Sequence, residues 1–160
     1  AYHSLGFCYQ HGIGLEKNDE EAVKWFSLSA EQGHAPAQLS LGYCYRNGVG
    51  IEKNETLAFV WFEKSALQGN PMGQNSLGFC YEEGVGVERN YDLAYKWYHK
   101  AAEQDNAWAQ GNLGNCYTMG WGVEKDYREA YYSFHKSAKN NMPRSQFRLA
   151  GIYEKGLGVE

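Results

Sequence analysis

Four thiols, Cys8, Cys44, Cys80 and Cys116, are the side chains of this 160-residue chain best equipped for chemistry, as two disulfides or as the ligands of a tetrahedral metal ion. Their spacing argues against both uses. Each cysteine follows the last by 36 residues, so all four hold one position of a repeated unit. Helices that pack stand about 8–10 Å apart, beyond the ~7 Å Cα separation that a disulfide tolerates. Ile152 takes the next place in the series, which marks an apolar slot where cysteine acts as a small hydrophobe. The Gly-x-Gly pairs (Gly12 and Gly14, Gly48 and Gly50, Gly84 and Gly86, Gly120 and Gly122, Gly156 and Gly158) suggest a phosphate cradle, but no third glycine or Walker lysine follows, and what precedes them reads as helix. They read as helix-ending punctuation. His99 and His135 share a column that elsewhere holds Ser27 and Glu63, with no further metal ligands grouped beside them. The acid pairs Glu20-Glu21 and Glu82-Glu83 diverge on a helix and read as solvated faces. No serine or cysteine has an assignable base, so the sequence offers no catalytic residue.

The elements that carry these residues follow from the same period. Leu5-Gly6, Leu41-Gly42, Leu77-Gly78 and Leu113-Gly114 repeat every 36 residues, as do Tyr9, Tyr45, Tyr81, Tyr117 and Tyr153. Ala37, Leu41, Cys44, Tyr45 and Gly48 have the i, i+4, i+7, i+8, i+11 spacing of one helical face, and define a helix A. Helix B starts after Asn18, Asn54, Asn90 or Asp126, whose side chains can accept from free amides, and carries Ala58, Trp61-Phe62 and Ala66 and their counterparts. Gly33, Gly69, Asp105 and Asn141 end it, and Pro71 and Pro143 open the next helix A. Ser133-Phe134 is the fourth, altered copy of the Trp-aromatic pair. Helices of three to four turns cannot bury such faces alone, so the hairpins must stack into an all-α solenoid. The expected organisation is one domain over 1–160, with units near 1–36, 37–72, 73–108 and 109–144 and a half unit at 145–160; since the chain opens inside a unit, it is expected to be a fragment of a longer one.

Composition narrows the function classes. With 43% hydrophobic and 21% charged residues the chain has the make-up of an ordinary globular protein. Its net charge is −4 and its lysines and arginines are scattered among acids, so the basic stripe of a nucleic-acid binder is missing. The longest apolar runs, such as Leu57 to Phe62, are too short to span a bilayer.

The pattern Ala-x-x-x-Leu-Gly-x-x-Tyr-x-x-Gly-x-Gly-Val, followed by Ala-x-x-Trp-Phe/Tyr-x-x-Ser/Ala-Ala-x-x-Gly, resembles the Sel-one-like repeat (SLR) family, a relative of the tetratricopeptide repeats. Leu77, Gly78, Tyr81, Gly84, Gly86, Ala94, Trp97, Tyr98, Ala101 and Ala102 carry the resemblance in the third unit, and it runs the length of the chain. Ala150, Ser133, Asp105 and Asn141 depart from it. The resemblance implies a right-handed α-α superhelix with helix A on the concave side, and the role of an adaptor or scaffold. Secreted members with two cysteines per unit have been linked to β-lactam binding. The single cysteine per unit here does not carry that activity over, and it points to a reducing, cytoplasmic compartment.

Positions that vary between units while their neighbours recur are free of the stacking contacts. On helix A these are His3, Leu39, Asn75, Gly111 and Phe147; Phe7, Tyr43, Phe79, Asn115 and Gly151; Gln10, Arg46, Glu82, Thr118 and Glu154; and His11, Asn47, Glu83, Met119 and Lys155. The i, i+4, i+7, i+8 spacing gathers them on one face. Phe7, Tyr43 and Phe79 should form an aromatic row flanked by Gln10, Arg46 and Glu82, either to hold a ligand or to fill the inner curve. The expected function is a non-catalytic module that binds a protein or peptide there, without cofactor, nucleic acid or membrane insertion. The alternative is the regulatory or activator segment of a larger enzyme, a kinase or synthase.

Overall fold

Local chemistry sets the start of each helix B, through an Asn or Asp cap, and the end of the first four A helices, through a left-handed glycine. In the computed structural model, which describes residues 1–154 and 156–157, Asn54 stands extended before a helix and its side-chain oxygen accepts from the Leu57 amide at 3.0 Å. Asn18, Asn90 and Asp126 cap their helices in the same way. At the other end of the preceding helix Gly48, at φ 68°, turns the chain out of it, and the amides of Gly48 and Val49 return to the Cys44 carbonyl at 2.8 and 3.1 Å. The turn closes when the Asn54 amide bonds the Tyr45 carbonyl at 2.9 Å. Lys155 and Gly158, which the sequence assigns to the fifth unit, lie outside the described residues.

Nine helices result among the described residues, with no strand. They are α1 (Tyr2–His11), α2 (Asp19–Glu31), α3 (Ala35–Asn47), α4 (Glu55–Leu67), α5 (Pro71–Glu83), α6 (Tyr91–Ala102), α7 (Ala107–Met119), α8 (Tyr127–Lys139) and α9 (Pro143–Glu154). The odd-numbered helices are the predicted A helices and the even ones the B helices. Each packs chiefly on its neighbours in sequence, so the molecule is a helical-repeat solenoid.

The core of a unit forms where an aromatic ring of helix B meets a glycine of helix A. Phe62 is fully buried, and a Cβ on Gly42 would lie 2.6 Å from its ring. Phe26 with Gly6, Tyr98 with Gly78 and Phe134 with Gly114 repeat the contact. Truncating such a ring costs about 3–5 kcal/mol. Its neighbour Trp61 stays half-buried and instead packs at the junction with the preceding unit, against the cluster that contains Ala30 and Leu41. The cysteines complete the apolar clusters as the sequence implies: Cys44, Cys80 and Cys116 are buried beside Phe26, Phe62 and Tyr98 respectively. Burial pushes the Cys44 thiol up to about 11 and those of Cys80 and Cys116 up to about 12.

One recurring column escaped the sequence reading. Gln38 and Gln74 are buried at the junctions between units; their Nε2 atoms donate to the Ala30 and Ala66 carbonyls at 3.1 and 3.4 Å, and their Oε1 atoms accept from Gln68 and Gln104 at 2.6 and 2.7 Å. These bonds satisfy the last carbonyls of the B helices inside an otherwise apolar junction.

Candidate protein-binding face

The variable helix A positions lie near one another, and against the expectation that they are free of stacking contacts, successive A helices touch through His3, Tyr43 and Asn75. His3 Nε2 lies 3.1 Å from Ser40 Oγ, the Tyr43 hydroxyl 2.8 Å from Ser76 Oγ, and Asn112 Nδ2 donates to Asn75 Oδ1 at 3.0 Å. None of the fifteen residues singled out from the sequence on α1, α3, α5 and α7 is fully buried. Phe7, His11, Asn47, Glu83 and Met119 are exposed; His3, Gln10, Leu39, Tyr43, Arg46, Asn75, Phe79, Glu82, Asn115 and Thr118 are half-buried.

The predicted aromatic row exists in altered form, because Arg46 lies on it and not beside it. Its guanidinium carbon sits 4.9 Å from the Tyr43 ring centroid and 5.4 Å from that of Phe79, joining two units by a cation held over two π faces. Tyr43 serves two ends: its edge meets buried Phe62 at 5.1 Å, while Leu39 packs on the same core cluster. Phe7 pairs with His11, ring centroids 4.2 Å apart. His3 lies against Phe26 and His34, and burial, with the neighbouring His34 and terminal amino charges, lowers its pKa. Thr118 turns its hydroxyl back to the Gly114 carbonyl at 2.8 Å.

Glu82 has a different environment from its counterparts Gln10, Arg46 and Thr118. Tyr98, whose ring is otherwise sealed in the core, reaches it with a hydroxyl donated at 2.5 Å. Burial raises the Glu82 carboxyl above its ordinary range, and the charge of Glu83 adds to this, against the stabilising effects of the Tyr98 hydroxyl, Arg144 and Arg89.

Beyond Phe79 the face deepens into a cavity of about 270 Å³ between α7 and α9, floored by Phe134. Trp108, 57% exposed, and Arg144 and Arg148 of α9 stand at its sides, with Asn112 and Asn115. Gly111, in the column of His3, Leu39 and Asn75, lines it and lets the neighbouring helices approach, since a Cβ there would lie 2.9 Å from Ser145 Oγ and 3.2 Å from Ser137 Oγ. The sequence signal was a glycine at a variable, non-turn position of helix A, where neighbouring helices can approach closely. Trp108 and Arg144 were missed because their column, with Pro36 and Met72, lies in the first turn of helix A, outside the recurring spacing, and Arg148 because its column otherwise holds Ser4, Ser40, Ser76 and Asn112. The histidines of the B helices stay apart: His99 is 3.7 Å from Glu103 and His135 stacks on Tyr131.

The profile of the Sel1 repeat matches residues 1–34, 35–70, 71–106, 109–142 and 143–160. The chain belongs to the Sel1 repeat family. Two solved Sel1-type structures superpose on nearly all of it: a protective antigen of uropathogenic Escherichia coli displaying an SLR fold (38% identity, TM-score 0.93, covering 99% of this chain and 34% of that one) and a Sel1 repeat protein from Oxalobacter formigenes (36%, 0.93, 99% and 63%). The Helicobacter pylori cysteine-rich protein B shares the fold at 24% identity and TM-score 0.65, over 83% of this chain and 96% of its own. Among curated proteins, the DAP3-binding cell death enhancer 1 of Rattus norvegicus is 50% identical over 34 residues, 21% of this chain and 7% of that protein. The chain thus spans a third to under two thirds of the first two solved relatives and a small part of the curated one. Sel1 repeats form a scaffold family, typically non-catalytic, whose members generally mediate protein–protein interactions. No helix among the described residues is long and apolar enough to cross a membrane.

Proposed function

We propose that the chain is a non-catalytic adaptor that holds a segment of a partner protein along its helix A face, from Phe7 past the Tyr43–Arg46–Phe79 stack to the α7–α9 cavity. The observation that carries this reading is that the helix A face leads, past the Tyr43–Arg46–Phe79 stack, to a cavity walled by an exposed tryptophan. An apolar or aromatic anchor with an acidic neighbour suits the cavity, since Arg144 and Arg148 stand at its mouth. The same reading takes 1–160 as one solenoid within a longer polypeptide working in a reducing, cytoplasmic compartment; thiols raised by burial fit that setting. In the alternative, a regulatory segment of an enzyme, the same face would hold the catalytic part.

The test is an affinity measurement on a partner isolated with the parent chain. Phe7→Ala combined with Trp108→Ala should weaken binding by about 2 kcal/mol or more, the scale of aromatic hot spots, with helicity by circular dichroism unchanged because both rings are exposed. Lys64→Ala with Lys100→Ala, on the B helices, should leave affinity within about threefold. The reverse pattern places the partner on the outer side and ends this reading.

A further inference from the structure

The fourth unit lacks the tryptophan of the other three, and the place that its ring would fill is still open. Trp61 packs against the cluster that holds Ala30 of the preceding unit and Leu41 of its own. Advancing those positions by two units gives Ser133, Ala102 and Leu113, and these three border one cavity of about 170 Å³ on the B side, bounded also by Gln110, Tyr117 and Lys136. Exposure agrees with a missing ring. Leu113 is 8% exposed where Leu41 and Leu77 are 1% and 0%, and Ala102 is half-buried where Ala30 and Ala66 are each 1%.

Two further features of an indole site survive around the opening. Lys64 and Lys100, each three residues after its tryptophan, hold their ammonium groups 4.1 and 4.6 Å from the Trp61 and Trp97 ring centroids. Lys136 keeps that place and borders the cavity with no ring of its own unit to cover. Gln110, on the same wall and 3% exposed, also lacks its usual complement. In the column of Gln68 and Gln104 stands Asn140, one methylene shorter, which donates to the Lys136 carbonyl at 3.2 Å. Gln110 Oε1 is left buried without a hydrogen-bond partner among the described residues.

We propose that this cavity is a binding site for an indole-sized aromatic ring, which takes the place of the repeat's absent tryptophan against Ala102 and Leu113 and beneath Lys136. The chemistry is the apolar surface of Ala102 and Leu113 with the Tyr117 and Tyr132 rings and the Lys136 cation beside it, and a polar rim of His99, Glu103 and Glu129 whose carboxylates can accept from an indole N–H. The site shares α7 with the proposed partner face but none of the residues that line the α7–α9 cavity, and it does not depend on that reading.

Indole and N-acetyltryptophanamide, titrated separately into the intact chain and followed by amide chemical shifts, test it. Saturable shifts at Ala102, Leu113 and Ser133 are expected, with Lys136→Ala weakening binding several-fold. Ser133→Trp should abolish the shifts and raise the thermal midpoint by a few degrees, as the chain's own indole refills the cavity; Ser133→Ala should retain binding. Binding of both probes assigns the site to a side chain of a partner, and binding of indole alone to a free aromatic molecule. No saturation by either probe, undiminished binding in Ser133→Trp, or a lowered midpoint in that variant overturns the proposal.

Discussion

Tyr98 is the one ring of its column to carry a hydroxyl, which it donates to Glu82, a carboxyl where Gln10, Arg46 and Thr118 have none. Because burial raises the Glu82 carboxyl in the folded state above its unfolded value, folding favours the protonated form. That contribution is complete below the unfolded carboxylate range and is lost as pH rises through the raised folded value. Glu82→Gln removes it, so in urea unfolding at pH 4 and pH 7 the variant should gain stability relative to the parent on going to pH 7. A difference independent of pH would show that Glu82 is not desolvated. The thiols offer a second residue-scale test. With their pKa values at about 11 to 12, Cys44, Cys80 and Cys116 hold almost no thiolate at neutral pH, so maleimide labelling of the native chain should stall at these sites. After denaturation without reductant, four thiols per chain should react.

At the scale of the elements, the two glycines of each Gly-x-Gly turn have different tasks. Gly48 ends α3, whereas a Cβ on Gly50 would collide with the Asp19 carbonyl at the start of α2, in the preceding unit. Gly86 against Glu55 and Gly122 against Tyr91 repeat this approach. Gly14 has almost the same backbone angle, φ 71° against 68°, but meets nothing within 4 Å. The pair separates backbone strain from inter-unit packing. Gly14→Ala should cost about 1–2 kcal/mol, the left-handed penalty alone, and Gly50→Ala clearly more, since carbonyl backbone cannot yield as a side chain can. Chemical denaturation of the two variants measures the difference; equal losses would mean that the units do not meet at Gly50.

Across the whole molecule, stability is a sum of unit and neighbour terms, so it falls where a helix has one neighbour in place of two. α9 packs chiefly on α8 among the described helices, with Leu149 and Ile152 8% and 6% exposed and Tyr153 56% exposed, while Leu77 and Cys80 of central α5 are fully buried. Amide hydrogen exchange should therefore be fastest through α9 and slowest in α4 and α5. Uniform protection along the chain would instead mean that the stack opens as one unit.

The sequence by itself determined the period, the helix limits, the stacking residues and the cysteine slot, because each rests on local chemistry repeated in register: an Asn cap, a left-handed Gly, an alanine or glycine opposite a large ring. It also isolated the variable helix A positions by contrast with those that recur. Which of these stand alone and which join was decided by tertiary structure. Arg46 lies between Tyr43 and Phe79 because the side chains of adjacent units converge there, and no spacing within one helix encodes that approach. The opening at Ser133 was visible as a departure from the repeat, yet a departure becomes a cavity only if the surrounding helices do not close over it. Packing against both neighbouring units holds those helices in place, and a single helix's sequence contains no record of that constraint.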